Sequence, residues 1–250
     1  METFKNIVFL IDTINFELIW FIYLFFCFFT ILFFLKIFGY IGLYVYSAIA
    51  VIVGNIQVLK TVDFFFFFEP VALGTVLFTS TFLCTDILSE HYGSEKAKYN
   101  IIISFSGFLL MTILMIFSVG FKPSSGEFNT LVQSSLNTIF IPLPTFFLAS
   151  MIAYLSSQFF DVWFFSLLKK ITKGKFLWFR NNLSTFSSTL IDNTIFSILA
   201  WIIFNSQPLT LYTVITTYIV GTYILRLIIA IFDTPFIYLS KFFLPKKINE

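Results

Sequence analysis

The stretch FLCTDILSEHYGSEKAK, residues 82–98, ends an apolar run with two carboxylates, Asp86 and Glu90, and then turns basic at Lys96 and Lys98. The apolar part has the character of a membrane helix, and the charged part that of the loop beyond it. Asp86 and Glu90 are four residues apart and share one helix face. A carboxylate at a helix carboxyl terminus meets the unfavourable end of the macrodipole. Two acids placed there call for a partner or a task.

The rest of the chain has the same character. It has 250 residues, of which 58% are hydrophobic and 11% charged. Soluble domains carry about 25% charged residues, so this chain has too few charges to cover a water-facing surface. Apolar runs of spanning length recur along it, as in an integral membrane protein. Phenylalanine is abundant, with FFFFF at Phe64 to Phe68, and the simplest reading places most of it against lipid. The net charge of +2 and the lack of a basic stripe with interleaved aromatics exclude a nucleic-acid partner. Cys27 and Cys84 both lie in apolar runs and suggest neither a disulfide framework nor a metal site. No P-loop, GxGxxG or HExxH pattern occurs, and no cofactor is implied.

Seven helical spans are expected, at 18–37, 40–60, 70–88, 99–120, 140–168, 184–205 and 210–240. Pro142 and Pro144 mark the start of the fifth, and Pro235 should kink the seventh near its end. The longest connection, near 121–139, reads as a loop. The leader METFKNIVFLIDTINFE has one Lys and three acids, so the first span reads as a helix rather than a cleaved signal. Lys and Arg set the orientation. Loops after odd-numbered spans hold 11 of them, Arg180 included, against 3 on the opposite side: Lys5, Lys60 and Lys122. The carboxyl terminus is therefore expected on the cytoplasmic side of the membrane.

Ionisable residues inside a bilayer are costly, face the bundle interior and often mark a substrate or ion path. Here they cluster. The second span ends in GNIQVLK, with Asn55 and Gln57. The third carries Asp86 and Glu90. The fifth carries Gln158 and Asp161, three apart on one face, in SSQFFDVWFFSLLKK. The sixth opens RNNLSTFSSTLIDNTIF, in which Ser184, Ser188 and Asp192 form a polar stripe. The seventh holds Arg226 and Asp233, seven apart on one face. An arginine in mid-membrane wants an acid, and Asp192, Asp86 and Asp161 are all candidates. Arg180 and Asp233 are candidate gate or ion-pair residues. His91 reads as a lone loop histidine. Most of these groups fall in the cytoplasmic half, where a polar cavity would suit a small solute.

Four of these blocks together resemble a known family, the queuosine precursor transporters, also called the vitamin uptake transporters. They are GNIQVLK (54–60), TDILSEHYG (85–93), the Gln and Asp of SQFFDVWFF (157–165), and RNNLSTFSSTLIDNTIF (180–196), with Arg226 as the charged residue of the last span. The similarity covers roughly 40–240. It implies a six-span transporter core at 40–240, preceded by a segment with an extra helix at 1–39 and followed by a basic tail at 241–250. It implies uptake of a 7-deazaguanine base, queuine or its 7-cyano or 7-aminomethyl precursor. A carboxylate can accept the side-by-side N–H groups of a guanine-like edge, with Asp192 or Asp161 expected first and Asp86 and Glu90 next. Asn55, Gln57, Gln158 and Ser184 would supply further polar contacts, and Trp163, Tyr92, Phe186 or Phe196 a stacking surface.

Other readings are a membrane subunit that binds substrate for a separate ATPase, a carrier of another planar heterocycle, and an enzyme. The last lacks a Ser–His or metal constellation to activate Ser184 or the acid pair. The expected partners are the lipid bilayer, a purine-like small molecule and, as a candidate, a second copy of the chain.

Overall fold

In the computed structural model, residues 2–64, 71–141, 143–205 and 207–245 are described. The chain is an all-α bundle with one two-residue β-ribbon, β1 (Thr61–Val62) paired with β2 (Val71–Ala72). The helices are α1 (Glu2–Thr13), α2 (Phe16–Phe38), α3 (Tyr40–Gln57), α4 (Thr75–His91), α5 (Ser94–Gly120), α6 (Glu127–Phe140), α7 (Leu143–Ile171) and α8 (Leu177–Ile198). A three-residue turn, α9 (Leu211–Thr213), precedes α10 (Thr222–Phe243). Two π-helical segments, Leu199–Ile203 and Val214–Gly221, continue α8 and lead into α10.

Six of these stretches are long and apolar enough to cross a membrane: 16–38, 40–57, 94–120, 146–171, 177–203 and 211–243. The chain is a multi-pass membrane protein. The third expected span is α4, and its 17 residues lie at the short end of the roughly 17–25 that a bilayer needs. It packs against α2, α3, α5, α7, α8 and α10 and, apart from Phe78, is buried from Thr75 to Ser89. A helix shielded from lipid by its neighbours does not need an apolar surface of its own. That shielding is why α4 can carry Thr79, Ser80, Thr81, Thr85, Asp86 and Ser89. The lipid faces belong to the outer helices, through residues such as Phe26, Phe29 and Phe33 of α2 and Leu110, Leu114 and Phe117 of α5.

Asn15 caps α2, its side-chain oxygen accepting from the Leu18 N–H. Gly39, at φ +60°, turns α2 directly into α3. The two helices then run so close that a Cβ at Gly42 would lie 2.3 Å from the Phe34 carbonyl oxygen. A similar approach joins α3 to the start of α4, where a Cβ at Gly74 would lie 2.4 Å from the Gly54 carbonyl.

Three expectations need correction. The connection near 121–139 contains α6, which buries no residue; Phe128 and Leu131 are exposed and Gln133 is tied back to the Val119 carbonyl at 3.0 Å. The sixth span begins at Leu177, seven residues early, so Arg180 is not a loop residue. His91 is the last residue of α4, and its Nε2 meets the Ser240 hydroxyl at 2.8 Å. Pro235, where a kink was expected, lies within α10. Pro142 and Phe65 to Phe68 lie outside the described residues; Phe64 is buried against Phe16 and Trp20.

Most basic residues gather at one end. Lys96 lies over the Tyr40 ring at 4.3 Å, Lys36 over the Phe243 ring at 5.9 Å, and Lys169 and Arg180 both reach Glu90. We refer to this as the basic end; the β-ribbon marks the other.

Candidate functional site

Helix α8 is the polar spine of the bundle. Its buried residues step down one face as Asn193 and Asp192, Thr189 and Ser188, Thr185 and Ser184, and Asn181 and Arg180. That face packs on α7, α10 and α4. Each of these helices returns a carboxylate, so the polar residues of four helices meet along one line.

At the ribbon end the line opens into a cavity of about 500 Å³, within the roughly 300–1,000 Å³ of small-molecule sites. Its walls are aromatic: Phe78, Phe146, Phe196, Trp201 and Tyr218. The Trp201 and Tyr218 rings lie 4.6 Å apart at 31°, and Phe146 meets Trp201 edge-on at 5.6 Å. Asn193, Thr222 and Arg226 supply polar groups, and both π-helical segments contribute wall residues; such segments recur at functional sites. A narrower recess continues inward, lined by Asn55, Tyr154, Asp192 and Arg226 among others.

Asp192 and Arg226 form an ion pair at this boundary. Asp192 accepts the Arg226 Nη1–H on one oxygen and the Ser157 hydroxyl, at 3.1 Å, on the other. Arg226 Nε is buried and has no hydrogen-bond partner among the described residues. Of the three acids the sequence offered Arg226, the fold selects Asp192.

Deeper in, toward the basic end, the polar groups are sealed. Gln158 bridges to α4, donating to Thr81 Oγ1 at 2.8 Å and accepting from Thr85 at 3.2 Å. Asp161 accepts from Ser188 at 2.9 Å, and Asp233 from Asn181 at 2.7 Å. Ser184 donates to its own helix, at the Asn181 carbonyl. Interhelical hydrogen bonds in membranes average about 0.6 kcal/mol, whereas an aspartate at the centre of a membrane helix costs about 2.5–3.5 kcal/mol. These bonds do not offset the cost of the acids, so helix packing alone does not explain why the acids are there.

At the basic end Arg180 is fully buried; it donates to Glu90 at 2.9 Å and lies 5.4 Å from the Phe165 ring centroid. Lys169 joins the same Glu90 oxygen at 3.0 Å.

The expected residues therefore divide three ways. Asn55, Asp192 and Arg226 border the cavity and its recess. Asp86, Gln158, Asp161, Ser184 and Asp233 lie in the sealed interior, and Glu90 and Arg180 close the basic end. Gln57 is apart from all of these, hydrogen-bonded to Tyr23 of α2 at 3.2 Å. The cavity is at the ribbon end rather than in the half where it was expected. Of the four candidate stacking rings only Phe196 lines it; Trp163 is exposed and Tyr92 packs on Tyr40. Phe78, Phe146, Trp201 and Tyr218 were not anticipated, because in so aromatic a chain nothing in the sequence distinguishes a wall residue from a lipid-facing one. Asn193 could have been, being the neighbour of Asp192 in the LIDNTIF stretch.

Comparison with known proteins shows the family. Residues 72–240 match the model of a family described as "Putative vitamin uptake transporter". The GNIQVLK block lies before that match. The chain is 33% identical over 219 residues, 87% of its own length and 91% of the relative's, to a "Probable queuosine precursor transporter" of Bacillus subtilis (strain 168). No solved structure matches it. With the family match covering 72–240 and a relative 33% identical over 87% of this chain's length, the chain belongs to the vitamin uptake transporter family.

Proposed function

We propose that the protein imports a queuosine precursor, a 7-deazaguanine base, and binds it in the cavity above the Asp192–Arg226 pair. The name of the Bacillus subtilis relative supports this substrate class. The observation that carries the reading is the ion pair at the inner boundary of an aromatic cavity. A carboxylate beside a guanidinium presents an acceptor next to a donor. A guanine-like edge presents the complement, a ring carbonyl beside an N–H and an exocyclic amine, so one planar contact satisfies both. Aromatic walls cover the faces of such a ring. Asn55 adds a carboxamide in the recess.

In this reading residues 40–240 carry transport, 1–39 add an outer helix, and 241–250 form a basic tail. The basic end faces the cytoplasm of a bacterial cell, as the excess of Lys and Arg there favours, and the cavity faces outward. Transport, not catalysis, is the activity, and no energising ATPase is required. The test is uptake of labelled 7-cyano-7-deazaguanine by the purified chain in liposomes, with salvage of external base into tRNA in a deletion strain alongside. Saturable uptake and loss of salvage at limiting base are expected. Unchanged salvage, or liposomes no more permeable than protein-free ones, would overturn the reading.

A further inference from the structure

Three carboxylates from three helices are sealed below the cavity: Asp86 of α4, Asp161 of α7 and Asp233 of α10. Their donors on α8 lie within two turns of one another: Thr185 and Ser188, which hold Asp86 and Asp161, are three residues apart, and Asn181, which holds Asp233, is four residues before Thr185. Each acid has one oxygen served by α8: Thr185 donates to Asp86 at 3.4 Å, Ser188 to Asp161 and Asn181 to Asp233. Each also has one buried oxygen, Asp86 Oδ1, Asp161 Oδ2 and Asp233 Oδ2, that receives no donor from the described residues. Asn181, whose amide nitrogen is bound to Asp233, adds a fourth acceptor oxygen in the same state.

Among the described residues, no lysine or arginine donates a hydrogen bond to these acids. From α7 come Asp161, Tyr154 and Lys169, and from α8 Arg180 and Asp192. From α10 come Asp233 and Arg226; Glu90 and Cys84 are on α4 itself, Cys27 on α2 and Tyr46 on α3. Near the buried centre α5 presents only Asn100 and Ser104. The charges of Arg180 and Lys169 are paired with Glu90 and that of Arg226 with Asp192, although Arg180 Nε and Nη1 and Arg226 Nε are buried without an acceptor among the described residues. The described residues hold no cluster of three metal-ligating side chains. Buried acceptors without donors are costly, and adjacent carboxylates in a low dielectric cannot all carry charge. The missing ligand is one that supplies a donor and a positive charge in very little space.

We propose that Asp86 and Asp161 together bind a proton, relayed by Asp233 toward the basic end, and that this proton travels with the substrate. The proposal rests on the transport reading above. One proton bonds to a carboxylate oxygen of the pair when it is open to the outer side and leaves that oxygen on the inner side; nothing is oxidised or reduced. The α8 stripe provides the route, since Asp192 borders the cavity, Ser188 and Thr185 touch the pair, and Asn181 touches Asp233.

The experiment uses the full chain in liposomes containing a pH-sensitive dye, with labelled 7-cyano-7-deazaguanine as probe. With one proton per substrate, an inward gradient of about one pH unit supports accumulation of about tenfold, and collapse of the gradient abolishes it. Asp161→Asn and Asp86→Asn should keep exchange of labelled for unlabelled base, which reports folding and binding, and lose both accumulation and substrate-dependent proton entry. Wild-type accumulation that ignores the pH gradient, or follows a sodium gradient, overturns the proposal. So does either variant accumulating like wild type. The wild-type proton flux decides the matter even if a variant fails to fold. Absence of exchange by the wild type would instead overturn the substrate reading and this proposal with it.

Discussion

Asp192 and Arg226 sit at the floor of an open cavity, while about one to three helical turns further along α8 the acids Asp161, Asp86 and Asp233 are packed shut. Both regions are built from aspartates on neighbouring helices along the same polar stripe. One has a cationic partner and access from the ribbon end; the other has neither. The difference is that between a site that meets a ligand from outside and an interior that is closed in this arrangement, with Glu90, Arg180 and Lys169 as the seal beyond it. A transporter alternating between two sides needs both kinds of region.

The comparison can be broken most directly at the open site. Arg226→Ala leaves Asp192 without its cation at a boundary meant to bind. Losing one partner of a desolvated pair costs about 2–5 kcal/mol, so uptake at limiting substrate should fall about 30-fold or more. Asp192→Asn should also lower uptake, with protein level unchanged on an immunoblot; normal uptake by either variant removes the pair from the site.

The seal comes next. Glu90→Gln removes the acid that both Arg180 and Lys169 contact and leaves Arg180 buried and unpaired. Breaking a buried pair costs about 3–5 kcal/mol; because Glu90 is partly exposed, we expect about 3 kcal/mol, read as a lowered melting temperature in detergent. An unshifted melting curve would mean that this end is not held by the pair. Phe196→Ala should remove a stacking wall worth about 1–3 kcal/mol, raising KM about tenfold with little effect on melting. A change in stability with KM intact would reassign Phe196 to the core. The smallest effect belongs to Trp163→Phe. Trp163 points away from the bundle, and uptake and melting should both stay within about 0.5 kcal/mol of wild type; a larger loss would place a binding surface outside the cavity.

The sequence alone determined the class and the spans, because composition and the length of apolar runs report directly on the solvent around a helix. It also determined that Asp192, Asp161, Asp86, Arg226 and Asp233 turn inward, because an ionisable residue has nowhere else to go in lipid. Helical spacing shows which residues share a face but not which helix that face meets. So it left Arg226 with three possible partners, and only the packing of α10 against α8 chose Asp192. The same limit put Arg180 in a loop, since a lone arginine beside Asn181 and Asn182 reads as a polar boundary until Glu90 arrives from α4 to hold it inside. It also sent Gln57 to the site when Tyr23 had claimed it. Where the cavity opens was decided by tertiary structure alone. It is space left between α3, α4, α7, α8 and α10, and empty space has no residues of its own in the sequence.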